Sequence, residues 1–334
     1  MKDLSNYSLL QHNTFGIDAK CSRFLEYSTV AEAQEVAKIL RESDTPYLII
    51  GGGSNLLLTK DYDGIVVRSK VEGRRPIVEG QLTCGSGEVW DDVVAYCVDH
   101  QLYGAENLSL IPGDVGASAV QNIGAYGVEV KDLITEVEAV EIATGDIRVF
   151  QHKECGYAYR DSRFKHEWKN RYLITHVTYQ LQSVFEPRLD YGNIRSELER
   201  KGITKPTAQQ LRQVIIYIRN AKLPDPKVMG NAGSFFMNPI VSREKYEQLA
   251  RQYEGMPHYT VDADHEKIPA GWMIDMCGWK GKTMGRAGVH DKQALVLVNR
   301  GGATGKEIVA LCKTIQRDVK EKFGIEIYPE VNIV

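Results

Sequence analysis

Two glycine-rich segments carry residue types that suit a phosphate-bearing or flat ligand. The first is residues 51–55, where three consecutive glycines precede Ser54 and Asn55. Residues without a Cβ atom allow successive backbone N–H groups to converge on one anion, and the two polar side chains add donors. The second is residues 111–127, with four glycines among small residues and one aromatic ring. A flexible turn explains one such segment, but two in one chain favour a nucleotide-binding site.

Two other glycine-rich segments lack residues that nucleotide binding needs. Gly85 and Gly87 precede a predicted helix, but Trp90 replaces the third glycine of the dinucleotide-binding pattern and prevents close packing of strand and helix. Residues 300–307 imitate a P-loop. There the residue after Lys306 is Glu307, which cannot replace the hydroxyl that holds magnesium. We therefore interpret both segments as turns and helix starts.

The composition describes a globular chain long enough for two or three domains. It has 334 residues, a formal net charge of −3, 43% hydrophobic residues and 25% charged residues. The absence of a basic excess argues against broad nucleic-acid binding. The six cysteines are widely spaced without a C-x-x-C pair, so we expect reduced thiols in a cytoplasmic protein and no metal site. No signal peptide or membrane span is readable.

Apolar periodicity predicts the elements that position the glycine segments. Helices are expected over residues 30–40, 90–97, 208–218 and 305–319, and three of them begin at a threonine followed three residues later by Glu or Gln. Strands are expected at 47–50, directly before the first glycine segment, at 65–67 and at 172–181, with a hairpin over 137–149. The alternation from Ile325 to Ile333 predicts a terminal strand that pairs with an earlier sheet.

The two glycine segments resemble the FAD-binding segments of the UDP-N-acetylenolpyruvoylglucosamine reductase family. This family belongs to the wider group of PCMH-type, or vanillyl-alcohol-oxidase-like, FAD proteins. The resemblance continues in family order with Y-R-D-S-R-F-K at 159–165 and G-S-F-F at 233–236, and with shorter matches at 222–226, 270–275, 289–290 and 329–331. Tyr191 and Gly192 resemble the longer, type I branch of the family.

The resemblance implies an α+β fold of three domains. Residues 1–70 with a returning strand at 323–334 would form one FAD-binding subdomain, residues 71–218 the second, and residues 219–322 a substrate-binding domain. The family passes hydride from NADPH through non-covalent FAD to UDP-N-acetylglucosamine enolpyruvate. The product, UDP-N-acetylmuramate, is a precursor of bacterial peptidoglycan. The expected partners are these two substrates, without nucleic acid or membrane, and a monomeric chain is expected.

The family roles carry over residue by residue. Negative charge develops on the carboxylate when an enol ether accepts hydride, so a cation must already be aimed there. Arg160 matches the family's guanidinium, which can hold a carboxylate through two parallel hydrogen bonds. Ser234 matches the proton donor, and Glu330 matches the group that supports the enolate with Arg160. The resemblance also nominates Tyr159, Tyr191, Lys222, Asn238 and Gln293 for substrate, and Gly51, Gly52, Gly53, Ser54, Asn55, Pro112, Gly113, Gly116, Ala117, Ser118, Asn122, Ile123, Gly124, Ala125, Tyr126 and Gly127 for FAD.

Plainer interpretations exist for these residues when each is taken alone. A single arginine is usually a solvated surface charge, Ser234 would be a turn residue, and Glu330 an exposed carboxylate. The family match favours the catalytic roles. Met237 stands where many relatives carry lysine, so a cation that can contact a nucleotide phosphate is missing there. His290 has no partner at metal-ligand spacing and is expected to be structural.

Two alternative functions stay open at this point. Another PCMH-type oxidase or dehydrogenase of an alcohol or hydroxy acid would need neither Ser234 nor a diphosphate site. Enzymes of that kind can attach FAD through His or Cys, and residues 51–55 and 121–127 contain neither. A flavin-binding regulatory module without catalysis is the second alternative, and the joint presence of Arg160, Ser234 and Glu330 argues against it.

Overall fold

The computed structural model describes residues 1–78 and 80–334. Within them, helices α1 to α8 span Val30–Arg41, Trp90–Asp99, Val115–Gln121, Ile194–Arg200, Ala208–Lys222, Arg243–Ala250, Ala270–Met276 and Gly305–Phe323. Strands β1 to β19 span Lys2–Ser8, Lys20–Tyr27, Tyr47–Ile50, Leu56–Leu57, Tyr62–Ser69, Arg74–Val78, Gln81–Gly85, Gly124–Ala125, Val128–Glu129, Ile134–Glu141, Ile147–Gln151, Tyr172–Gln180, Ile240–Ser242, Tyr259–Thr260, His265–Lys267, Thr283–Met284, Ala287–Val289, Leu297–Asn299 and Asn332–Ile333.

The chain forms two compact units. The first comprises residues 1–8, 20–53 and 62–220, and the second comprises residues 9–19, 54–61 and 221–334. The last segment of the second unit begins within two residues of the predicted start of the substrate-binding domain. The division of the remaining chain into two subdomains stays a prediction.

The first unit contains a four-stranded sheet, a five-stranded sheet and the two-stranded β8-β9 sheet. The order in the four-stranded sheet is β1-β2-β5-β3, in which β1 is antiparallel to β2 and the other pairs are parallel. The five-stranded sheet has the antiparallel order β11-β10-β12-β7-β6. Its β10 and β11 form the predicted hairpin, which is confirmed. The mixture of segregated helices and mostly antiparallel strands confirms the α+β class.

Helix faces read from the sequence form the cores of this unit. The buried side of α1 consists of the four residues whose spacing predicted it, Ala33, Val36, Ala37 and Leu40. Helix α2 buries Trp90 against Tyr179 of β12, with ring centroids 5.6 Å apart. Helices α4 and α5 share a separate apolar cluster. The predicted helices therefore bury the predicted faces, as amphipathic helices must.

The second unit holds two three-stranded sheets, with orders β13-β15-β14 and β16-β17-β18. Its longest helix, α8, begins with a reciprocal capping box between Thr304 and Glu307 and ends at Gly324 in the left-handed conformation. Both ends of this helix were predicted from the sequence and are confirmed.

The predicted terminal strand is much shorter than its apolar alternation suggested. Only β19 is a strand, and it pairs in parallel with β4. Residues 328–330 make isolated contacts instead: the Met237 N–H donates to the Tyr328 carbonyl (3.0 Å) and the Glu330 N–H to the Phe235 carbonyl (2.8 Å). Pro329 has no N–H for a continuous ladder, which explains the short strand.

Candidate active site

The first glycine segment lies against the start of the second one inside the first unit. A Cβ atom at Gly52 would lie 3.0 Å from Oδ1 of Asp114 and 3.4 Å from Cα of Gly113. At Gly51 the corresponding atom would lie 2.9 Å from Cβ of Ala117. The loops approach this closely because the glycines have no side chains. Of the other FAD candidates, Pro112 and Gly113 precede α3, and three lie in that helix: Gly116, Ala117 and Ser118. Gly53 is the last residue of the first glycine segment that belongs to this unit.

The remaining FAD candidates form a tight hairpin after α3. Asn122 ends that helix with a φ of 45°, and β8 and β9 are joined by Tyr126 and Gly127. Both turn residues have positive φ, 49° and 78°, as a type I′ turn requires. The Tyr126 carbonyl accepts a hydrogen bond from Nδ2 of Asn107 at 2.9 Å. Ile123 connects Asn122 to β8, which contains Gly124 and Ala125.

Arg160 lies on a turn that is bonded to this hairpin. Ala158 and Asp161 exchange two backbone hydrogen bonds of 3.1 Å, which leaves Arg160 in the turn with a φ of 55°. Its Nη2 donates to the Gly124 carbonyl at 2.6 Å. The Nδ2 group of Asn122 donates to the Ala158 carbonyl at 2.7 Å. The guanidinium predicted to hold a carboxylate is therefore fixed to the backbone of the predicted flavin loop.

Ser234 and Glu330, far apart in sequence, meet in the second unit. Besides the 2.8 Å bond from the Glu330 N–H to the Phe235 carbonyl, the Phe235 N–H donates to the Leu295 carbonyl at 2.8 Å. Nδ2 of Asn55 donates to the Glu330 carbonyl at 3.2 Å. Ser234 is exposed, Phe235 is buried and Glu330 is half-buried. Two of the three catalytic candidates thus share one backbone framework, while Arg160 belongs to the first unit.

Two substrate-binding candidates converge on the start of α7. Oδ1 of Asn238 accepts a hydrogen bond from the Ala270 N–H at 2.9 Å. Oε1 of Gln293 lies 3.1 Å from the position of a Cβ atom at Gly271. Both amide side chains are half-buried. The structure therefore brings together two residues that the sequence separates by more than fifty positions.

The other substrate-binding candidates are distributed over both units. In the first unit, Tyr191 is 40% exposed and packs over the hairpin turn, with its Cβ 3.4 Å from the Cβ position at Gly127. Tyr159 precedes Arg160, and the centre of the Tyr159 ring lies 5.3 Å from the guanidinium carbon of Arg160. In the second unit, Lys222 is exposed at the end of α5. Ser54, the remaining FAD candidate, also belongs to the second unit.

The residues of the first unit suit a flavin nucleotide. Two side-chain oxygens, Oδ2 of Asp114 and Oε1 of Gln121, are screened from solvent and have no hydrogen-bond partner within the described part of the chain. Buried polar atoms are rarely left unpaired, so such atoms mark a position where a ligand completes the bonding. The close approach of Gly51 and Gly52 puts backbone without side chains beside the Asp114 carboxylate.

Asp114 and Asn231 belong to the candidate site but were not predicted from the sequence. Asp114 interrupts a loop of small residues, and its charge was a readable signal. Buried Asn231 accepts a hydrogen bond from the Gly233 N–H at 2.9 Å and thereby fixes the turn before Ser234. Nothing in its sequence context distinguishes it from a surface turn residue. His290, predicted to be structural, is buried, and its Nδ1 lies 3.0 Å from Asp291.

Comparison with known proteins first defines the class. Residues 22–151 match the family described as FAD binding domain, which identifies a flavin-dependent oxidoreductase. Residues 225–334 match the family described as UDP-N-acetylenolpyruvoylglucosamine reductase, C-terminal domain. The fold and the FAD-binding class expected from the sequence are thereby confirmed.

Similarity along the whole chain then defines the family. UDP-N-acetylenolpyruvoylglucosamine reductase of Bacteroides fragilis (strain YCH46) is 56% identical over 98% of this chain and 99% of its own length. The Porphyromonas gingivalis protein of the same name is 47% identical over 98% of both chains. The crystal structure of the Thermus caldophilus reductase has the same fold, with a TM-score of 0.69 over 99% of this chain and 98% of that one at 22% identity. The chain belongs to the UDP-N-acetylenolpyruvoylglucosamine reductase family.

Residues 1–78 and 80–334 contain no helix with the length and apolar character of a membrane span. They also contain no group of three or more His, Cys, Asp or Glu side chains arranged to hold a metal ion.

Proposed function

We propose that this chain reduces the enolpyruvyl ether of UDP-N-acetylglucosamine enolpyruvate to the lactyl ether of UDP-N-acetylmuramate, with NADPH as the electron source. The observation that carries the proposal is the hydrogen bond from the Glu330 N–H to the carbonyl of Phe235, the residue that follows Ser234. Ser234 and Glu330 are the two residues that the family resemblance assigns to protonation and enolate support. Family membership supplies the substrate, because it appears in the name of every relative compared above.

Bound FAD would accept hydride from NADPH and pass it to the vinyl group. The task of the chain is to lower the energy of the charge that then develops on the substrate carboxylate. Arg160 serves this purpose because its guanidinium is held in place by the Gly124 carbonyl before substrate arrives. Such preorganisation avoids reorientation at the moment of reaction.

Ser234 donates the proton that completes the reduction. A hydroxyl is a weak acid, so this transfer requires short reach and a neighbouring group that stabilises the products. Glu330 supplies that neighbour, since the hydrogen bond to the Phe235 carbonyl fixes its backbone beside Ser234. Exposure of Ser234 in the second unit leaves its hydroxyl accessible to a substrate carbon.

The nominated substrate-binding residues hold the UDP-sugar. Lys222 provides a flexible cation for diphosphate, and Asn238 and Gln293 provide amides at the start of α7. Tyr191 contributes a ring and a hydroxyl, and Tyr159 contributes a ring beside Arg160. Met237 adds no charge, so we assign the phosphate interaction to Lys222. FAD stays non-covalent because the flavin loops offer no His or Cys nucleophile.

The test follows the two half-reactions separately. The purified protein is reduced with NADPH without oxygen and then mixed with UDP-N-acetylglucosamine enolpyruvate. The proposal expects the flavin absorbance to bleach and then to recover, with flavin released by acid denaturation. NADH serves as the control for cosubstrate choice. Bleaching without recovery would indicate a PCMH-type oxidoreductase with another acceptor, and a protein that binds no FAD would refute the proposal.

A further inference from the structure

Asp114 is a buried carboxylate that does not perform the helix-capping role expected at its position. It stands at the N-cap position of α3, yet its side chain makes no capping hydrogen bond. The residue is only 5% exposed. An aspartate at this position normally accepts a bond from the first helical turn, so its orientation away from the helix requires another explanation.

The carboxylate points at the first glycine loop. Oδ1 lies 3.0 Å from the Cβ position at Gly52, and Oδ2 lies 3.7 Å from the Cβ position at Gly51. Oδ2 accepts no hydrogen bond within residues 1–78 and 80–334. Its nearest cation is Nη2 of Arg68 at 3.6 Å, which is longer than a hydrogen bond.

This arrangement is unfavourable for the protein alone. A carboxylate removed from water needs a full set of partners, and the ion pair with Arg68 at 3.6 Å supplies charge but no hydrogen bond to Oδ2. Burial raises the pKa of the Asp114 carboxyl, against the opposing effect of Arg68. The unfilled acceptor faces the region where two glycine loops come together, so a ligand in that region can complete its bonding.

We propose that the Asp114 carboxylate accepts a hydrogen bond from a hydroxyl group of the bound flavin nucleotide. The inference rests on the proposed function, since it assumes FAD at these loops. A phosphate cannot be the partner, because it has the same sign of charge and no proton to donate at neutral pH. In this proposal Asp114 is a specificity-determining residue that recognises a sugar hydroxyl, while the glycine backbone serves the phosphates.

The hydroxyl belongs either to the ribityl chain or to the adenosine ribose, and ligand analogues distinguish these sources. Three probes are used: FAD, FAD with an unsubstituted five-carbon chain in place of ribityl, and FAD built on 2′,3′-dideoxyadenosine. Dissociation constants are measured for the complete apoprotein by quenching of flavin fluorescence. We expect the wild-type protein to bind one of the two analogues about 10- to 100-fold more weakly than FAD, as for a hydrogen bond to a charged group.

Binding of the same three probes to the variant Asp114→Asn completes a double-mutant cycle between the protein and the ligand. The variant should bind FAD about 10- to 100-fold more weakly, and it should lose little further affinity for the analogue that the wild-type protein rejects. Melting of the apoprotein checks that the variant is folded, and the wild-type measurements do not depend on it. Wild-type affinity within twofold for all three probes, or an equal loss for all three in Asp114→Asn, would overturn the inference. Failure of the wild-type protein to bind any flavin would overturn the proposed function as well.

Discussion

Adding one methyl group at Gly124 should impair substrate reduction more strongly than flavin reduction. An alanine Cβ at this position would lie 2.7 Å from Nη1 of Arg160 and 3.0 Å from the Val128 carbonyl oxygen. Gly124 is not among the residues with positive φ, so alanine introduces no backbone strain of that kind. The arginine side chain must therefore move, and the Val128 carbonyl of the paired strand must yield by a few tenths of an ångström.

The displacement sets the size of the effect. An ordinary contact begins near 3.4 Å, so Nη1 must retreat by about 0.7 Å, and the 2.6 Å bond from Nη2 to the Gly124 carbonyl is disturbed with it. Misplacement of a catalytic group by about 1 Å costs up to about 10²-fold in rate. We expect Gly124→Ala to slow reoxidation of the flavin by UDP-N-acetylglucosamine enolpyruvate by about 10- to 100-fold.

Anaerobic stopped-flow absorbance measures the two half-reactions separately. Reduction by NADPH should fall less than reoxidation by substrate, because the proposed role of Arg160 is toward the substrate carboxylate. The matched control is Arg160→Lys, which lacks Nη1 and the two-pronged geometry. Adding Gly124→Ala to that variant should cause little further loss. An equal loss in both half-reactions, or the same penalty with lysine at 160, would refute this reasoning.

Three further predictions address the proton donor, acid stability and thiol reactivity. Ser234→Ala should slow flavin reoxidation by about 10²- to 10⁴-fold in stopped-flow experiments and leave reduction by NADPH nearly unchanged; equal losses would instead assign Ser234 to the flavin site. The Thr304 backbone N–H and Arg286 lower the pKa of Glu307 from 4.5 to about 2, so this carboxylate stabilises the fold above pH 4.5 and loses that effect as the pH falls toward 2. The stability lost in Glu307→Gln, measured by urea unfolding, should therefore be largest above pH 4.5 and vanish near pH 2, whereas a pH-independent difference would contradict the assignment. Within residues 1–78 and 80–334, Cys277 is the one cysteine that is not buried, and it should react first with a thiol reagent under native conditions, as peptide mapping would show.

The sequence predicts helix ends well because capping is local. Thr207 and Gln210 exchange hydrogen bonds of 3.2 and 2.9 Å at the start of α5, and Thr304 and Glu307 cap α8. Each box lies within four consecutive residues, so no distant contact can override it. The predicted length of the terminal strand was wrong for the opposite reason. Its hydrogen-bond partners come from distant parts of the chain, and Pro329 interrupts the ladder.

The sequence was sufficient to predict which residues belong to the candidate site, but not how those residues are arranged in space. Resemblance to a family nominated Ser234 and Glu330, yet only the fold joins them through the Phe235 backbone. The same limit applies to Asn238 and Gln293, which converge on the start of α7. Periodicity describes how one segment meets the core, but it contains no information on which two loops share a hydrogen bond.

The hydrogen bonds of Arg160 give the flavin hairpin a second role. The Gly124 carbonyl accepts from the guanidinium, and Asn122 binds the Ala158 carbonyl in the same turn. A residue at φ 55° without glycine is held against a backbone preference that costs about 1–3 kcal/mol, so these bonds must maintain it. Because the cation is anchored to the loop that the cofactor is proposed to occupy, disorder in that loop would remove carboxylate binding together with flavin binding. If Arg160 and the hairpin have the roles proposed for them, the cation is ordered only where the flavin loop is intact, and substrate binding is restricted to protein that is competent for hydride transfer.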